Sequence, residues 1–93
     1  MEVIQFVEIF VRIEMFKEDE AYVALSPELN VSSFGETIID AKNSVREALE
    51  AFFEECESMS TLEDVLEEAG FSKMNDSWES RKPIEEESFT LAL

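Results

Sequence analysis

Histidine is absent from this 93-residue chain, and cysteine, tryptophan and tyrosine occur once each. Without histidine no Ser-His or Cys-His pair for nucleophilic catalysis can be assembled. The lone Cys56 forbids an intrachain disulfide framework and fits a reducing compartment. Gly35 has no companion glycines around it, which excludes a phosphate-cradling loop. No apolar run approaches the roughly 20 residues that span a bilayer. The start, Met1-Glu2, lacks a basic n-region, so no signal peptide is expected and the chain reads as cytoplasmic. Cations are scarce as well: seven Lys and Arg stand against 23 Asp and Glu, a net charge of −16. That balance repels phosphate backbones and anionic membranes, so neither nucleic acid nor membrane is an expected partner. It attracts basic proteins and steers their approach, and it also keeps a small domain soluble.

What is present is enough for a core. Hydrophobic residues make up 45% of the chain, eight of them Phe, within a length that holds one domain, residues 1–93. A domain this small buries only about 60–65% of its unfolded surface, and its surplus apolar area favours self-association.

Along the chain, Val3 to Met15 alternates with period two, and Val3, Val7, Ile9, Val11, Ile13 and Met15 share one face. The run is long for one strand, so a bulge or break is expected inside it. Phe6, Phe10 and Phe16 lie on the other face and require cover, from the domain or from another subunit. Lys17-Glu18-Asp19-Glu20 is a charged turn, and Ala21–Leu25 is the returning strand, stopped at Pro27. Val31–Phe34 is a short third strand that Gly35 turns out of. Thr37 is a natural helix N-cap with Asp40 three residues on, predicting a helix from about Ile38 to Glu57. Ala41, Val45, Ala48, Leu49, Phe52 and Cys56 form its buried stripe. Thr61 with Asp64 repeats the capping pattern and opens a second, shorter helix closed by Gly70. Phe71 to Pro83 reads as polar and turn-rich, with Trp78 isolated in it. Phe89, Leu91 and Leu93 alternate with polar or small residues as a last strand. The predicted order is β-β-β-α-α-β, an α+β fold whose antiparallel three- to four-stranded sheet carries its helices on one face.

Several of these segments together resemble the N-terminal domain of HicB-like antitoxins. The matching residues are Ala21-Tyr22-Val23-Ala24, Ser26-Pro27-Glu28-Leu29, Gly35-Glu36-Thr37 and Arg46-Glu47-Ala48-Leu49, with Ala41 as the small residue one turn into the helix. The likeness covers residues 7–57, and the remainder only in outline. It implies a partial ribonuclease H-like fold and an inhibitory binding role. The implied partner is a small basic HicA-like toxin, an mRNA interferase whose RNA-binding and active face the acidic chain would cover. The chain departs from the family in two respects. Family members carry a glycine after the Pro-Glu-Leu segment, where this chain has Asn30, a residue that tolerates the left-handed conformation. Many also continue into a DNA-binding domain, which is not expected here, so autorepression is not carried over.

Two further readings stand beside the antitoxin. One is an orphan HicB-like homo-oligomer without a toxin. The other is a metal-dependent nuclease of ribonuclease H type, for which the first strand offers Glu8 and Glu14. Those carboxylates lie about 20 Å apart along a strand, too far for one metal pair. The runs Glu54-Glu55-Glu57, Glu67-Glu68 and Glu85-Glu86-Glu87 lack the spacing and glycine of a calcium loop and read as solvated surface. No catalytic residue, metal or cofactor is therefore expected, and the chain is expected not to be an enzyme. Candidate partner-binding residues are Glu14, Asp19, Glu20 and Trp78, read as exposed; for Trp78 an equal alternative is a ring folded back over the sheet edge as a lid. Phe6 and Phe10 are candidate contacts in a homodimer or larger homo-oligomer.

Overall fold

The computed structural model describes residues 8–93. The amino-terminal part of the long alternating run, with the candidate contact Phe6, lies outside the described residues. The rest of that run divides as expected, into β1 (Glu8–Phe10) and β2 (Glu14–Glu18), with Val11–Ile13 as the break between them. After a two-residue turn at Asp19-Glu20 come β3 (Ala21–Ser26) and β4 (Val31–Gly35). Strands β2, β3 and β4 form an antiparallel meander, in which Met15 faces Ala24 and Ala24 faces Ser33. Asp19 and Asn30 take positive φ values of 51° and 55° at its two turns, conformations that Asp and Asn accept more readily than other non-glycine residues.

Helix α1 (Ile38–Ser58) begins where the sequence places it. The Thr37 hydroxyl accepts the Asp40 amide at 3.0 Å, satisfying a donor that the first turn would otherwise leave unpaired. The helix crosses β4 and β3, and Ala41, Val45 and Leu49 close with Ala24 into a first core, flanked by Met15, Tyr22 and Val31. Small residues set its depth. Ala24 and Ala41 are completely buried, and a methyl group on Gly35 would lie 2.5 Å from the Ala41 backbone nitrogen.

At its other end α1 closes without the help of a glycine. Ser60 takes the left-handed position at φ 57°, its amide bonding to the Glu57 carbonyl and that of Thr61 to the Cys56 carbonyl. The expected cap by the Thr61 side chain is thereby corrected. The Thr61 hydroxyl donates back to the Cys56 carbonyl, and α2 (Leu62–Glu68) starts without a side-chain cap. Gly70 ends α2 as expected, at φ 89°, with the Phe71 amide on the Leu66 carbonyl and both side chains buried together.

The carboxy-terminal third differs most from expectation. The segment read as polar and turn-rich is a hairpin of β5 (Ser72–Met74) and β6 (Ser77–Glu79), joined across Asn75-Asp76. Strand β6 pairs with β1 in parallel, placing Ile9 opposite Trp78, so β1, β6 and β5 make a second three-stranded sheet of mixed sense. Trp78, expected to be exposed, is buried with Leu66 and Phe71 as a second core. Its indole supplies the area that this short sheet and short helix otherwise lack. The expected last strand at 87–93 does not form. Those residues pair with no strand among the described residues, and Phe89, Leu91 and Leu93 are exposed. Alternation supplies a strand with a face but not with a neighbouring edge. The architecture is α+β, with two three-stranded sheets and two helices among the described residues.

Two substitutions check this packing by chemical denaturation. Gly35→Ala should cost about 1–3 kcal/mol, because the methyl meets backbone that cannot turn aside. Trp78→Ala should cost about 3–5 kcal/mol, where an exposed recognition residue would change stability hardly at all.

Candidate functional site

One face of the meander carries α1, and the opposite face carries no other described element of the chain. Side chains alternate across a strand, so Met15, Tyr22, Ala24, Val31 and Ser33 turn toward the helix. The Ser33 hydroxyl confirms that orientation by bonding to Ser44 on α1. Glu14, Phe16, Glu18, Ala21, Val23, Leu25, Ser32 and Phe34 therefore occupy the outer face.

In register, Phe16 lies opposite Val23 and Val23 opposite Phe34. This makes an apolar row straight across three strands, with Phe16 46% and Phe34 72% exposed. Beside the row, Glu18, Asp19, Glu20 and Glu36 surround a shallow depression of about 660 Å³ whose apolar wall is Ala21, Val23 and Phe34. Among the described residues none of these four carboxylates forms an ion pair, so their charge is directed to solvent. An aromatic on a flat sheet within a ring of carboxylates offers dispersion contact at the centre and attraction for cations at the rim.

The expected site residues divide among different places. Asp19 and Glu20 belong to the depression. Glu14 is on the same face, but its carboxylate accepts the Arg12 guanidinium at 2.8 Å and its charge is largely answered. Trp78 is removed from the surface by its place in the second core, where Lys73 rests over the ring at 5.6 Å from the centroid. Phe10 is 53% exposed on β1, uncovered by any other described element. Phe34, Val23, Glu18 and Glu36 were not singled out in the sequence. The signal for Phe34 was available: once Ser33 faces a helix, its neighbour must face away.

A second polar arrangement is structural. The Glu28 side chain is only 8% exposed and accepts Nε and Nη2 of Arg12 at 3.3 and 3.0 Å. Arg12 thus ties the break between β1 and β2 to the turn after β3. The hydrogen bond with Glu28, followed by the charges of Glu28 and Glu14, holds the guanidinium pKa above its ordinary value. A raised pKa gives a contribution that is complete below the unfolded-state value and lost only as pH climbs through the folded one. The bridge is therefore constant across neutral pH. Glu28 Oε2 and Ser26 Oγ are buried without a protein partner.

Among the described residues no group of three His, Cys, Asp or Glu side chains is placed to hold a metal ion, and no helix is long and apolar enough to cross a membrane. Cys56 is buried on α1 with its thiol unpaired in any disulfide. No protein family, no curated protein and no solved structure matches the chain.

The role of Arg12 can be separated from that of the outer face. Arg12→Ala should lower the urea midpoint clearly, because it leaves the Glu28 carboxylate buried and unpaired. In a Glu28→Gln background the same substitution should have a much smaller effect, which a double-mutant cycle reads directly.

Proposed function

We propose that this chain is a HicB-like antitoxin-type binding protein, which neutralises a small basic HicA-like mRNA interferase by covering its RNA-binding and active face. The observation that carries the reading is the uncovered outer sheet face, the row Phe16–Val23–Phe34 beside Glu18, Asp19, Glu20 and Glu36. A sheet with one face packed is ordinary when the other is polar. Here the second face is apolar at its centre and anionic at its edge, a match for a protein that binds RNA through Lys and Arg around an accessible apolar surface. The meander leading into a Thr37-capped helix also supports the resemblance to a partial ribonuclease H-like unit drawn from residues 7–57.

The inhibition follows from charge and area. A net charge of −16 draws a cationic partner in, with long-range attraction screened beyond a Debye length of about 8 Å at physiological ionic strength. On contact, the carboxylates take the positions of RNA phosphates on the partner's basic face, and Phe34 excludes water at the centre. The chain performs no chemistry in this role. It acts in the cytoplasm, where toxin and messenger RNA meet.

The tagged protein purified from its native host at low ionic strength should carry a small basic protein in stoichiometric amount, released by salt. Glu18→Lys with Glu20→Lys should slow association at least about tenfold, and Phe34→Asp should abolish the complex while the thermal midpoint stays near that of the parent. Recovery of the tagged chain alone would favour the orphan reading.

A further inference from the structure

Among the described residues there is an apolar groove without an occupant and an extended apolar tail without a partner. The groove runs along the helix side of the molecule, about 650 Å³ in volume, between the first strands and α1. Its floor is Ile9, Val11, Ile13 and Met15, and Val45, Leu49 and Phe53 form its helical wall. It is open because α1 lies over β4 and β3 and leaves Ile9, Val11, Ile13 and Met15 only half-buried. Strands β1 and β2 are also edge strands, each paired with one neighbour only among the described residues. The unpaired segment is the tail, in which Phe89 and Leu91 are each 80% exposed and Leu93 entirely so.

We propose that the tail of one copy docks in the groove of a second copy, and that two chains exchange tails symmetrically as a dimer. No residue of the chain's own tail lines the groove, which leaves it to the tail of a second copy, and three features select the tail. The first is period: Phe89, Leu91 and Leu93 fall on one side of an extended strand, the arrangement that pairs with an edge while delivering alternate side chains into a trough. The second is length. The stripe from Lys42 to Glu57 that borders the groove is about 22 Å long at the helical rise, and residues 85–93 extend to about 26 Å as a strand.

The third is charge, which also fixes direction. In this acidic chain two of the few cations, Lys42 and Arg46, border one end of the groove, and Glu50, Glu54 and Glu57 border the other. The tail is anionic at Glu85-Glu86-Glu87 and uncharged from Ser88 onward. Setting the three carboxylates beside Lys42 and Arg46 sends Phe89, Leu91 and Leu93 past Leu49 toward Phe53. The reverse direction would set Glu85–Glu87 against Glu54 and Glu57. Exchange is isologous, each copy giving a tail and receiving one, so the assembly closes at two. It also covers the exposed edge, which would otherwise invite open-ended pairing. The groove and the outer face bearing Phe34 lie on opposite sides of the meander, so this dimer is independent of the antitoxin reading.

The test is sedimentation of the full chain over a concentration series, together with disulfide trapping. The parent should be a dimer, and Leu91→Asp should raise its dissociation constant at least about tenfold without changing the thermal midpoint of the dissociated chain. Phe34→Asp, on the outer face, should leave the dimer intact. Copies carrying Leu91→Cys mixed with copies carrying Glu54→Cys should oxidise chiefly to the mixed disulfide. A parent monomeric at every concentration overturns the proposal. So does a dimer indifferent to Leu91→Asp, which would place the interface elsewhere. A Leu91→Cys, Glu54→Cys double variant that closes within a single chain overturns it too, since the tail would then fill its own groove.

Discussion

Everything in this small molecule depends on how closely one helix can approach one sheet. The first turn of α1 comes down on β4 at Gly35, where even a methyl group would collide with the Ala41 backbone. Ala24 and Ala41 continue the same contact with the smallest side chains that still fill space. Close approach is what lets three short strands and a single helix exclude water, in a chain too short to build a second layer. The position it imposes on α1 has two outcomes. The helix lies over β4 and β3, and it leaves the inner face of the first strands only half-covered, as a groove.

The two faces of the meander then differ in character. The inner face is a core interrupted by a trough, and the outer face is an apolar row bordered by carboxylates. Cations are not spread evenly against this background. Arg12 pairs with the nearly buried Glu28, and Arg81 and Lys82 line the same depression together with Glu86. Lys42 and Arg46 border the trough. The depression at Glu18–Glu20 and Glu36 receives none. The molecule thus concentrates its positive charge where its own segments meet and presents its negative charge outward.

Local signals in the sequence were legible because local physics decides them. Thr37 caps, Gly70 closes, Asn30 accepts a left-handed turn, and the stripe from Ala41 to Cys56 is buried or half-buried, each within a few residues of its cause. Trp78 was misplaced for the opposite reason. Its burial depends on β6 reaching β1 from the far end of the chain, a parallel pairing that no periodicity in either segment announces. The tail failed differently. Its alternation suits a strand, but residues 87–93 pair with no edge among the described residues, and the expected strand does not form. Within the candidate site, Asp19 and Glu20 were visible as a charged turn, whereas Phe34 became visible only once the register of β4 was known.

The parallel pairing of β1 with β6 also sets an order of events. Glu8 meets Ser77, so the second core joins nearly the two ends of the described chain, while the meander and α1 are built from neighbours. Contacts between distant residues carry the larger loop-closure entropy and form late. During synthesis the ribosome releases the meander and α1 well before Trp78 emerges. The nascent chain thus holds its first core early and waits, with Ile9 and Val11 uncovered, for its last third to arrive.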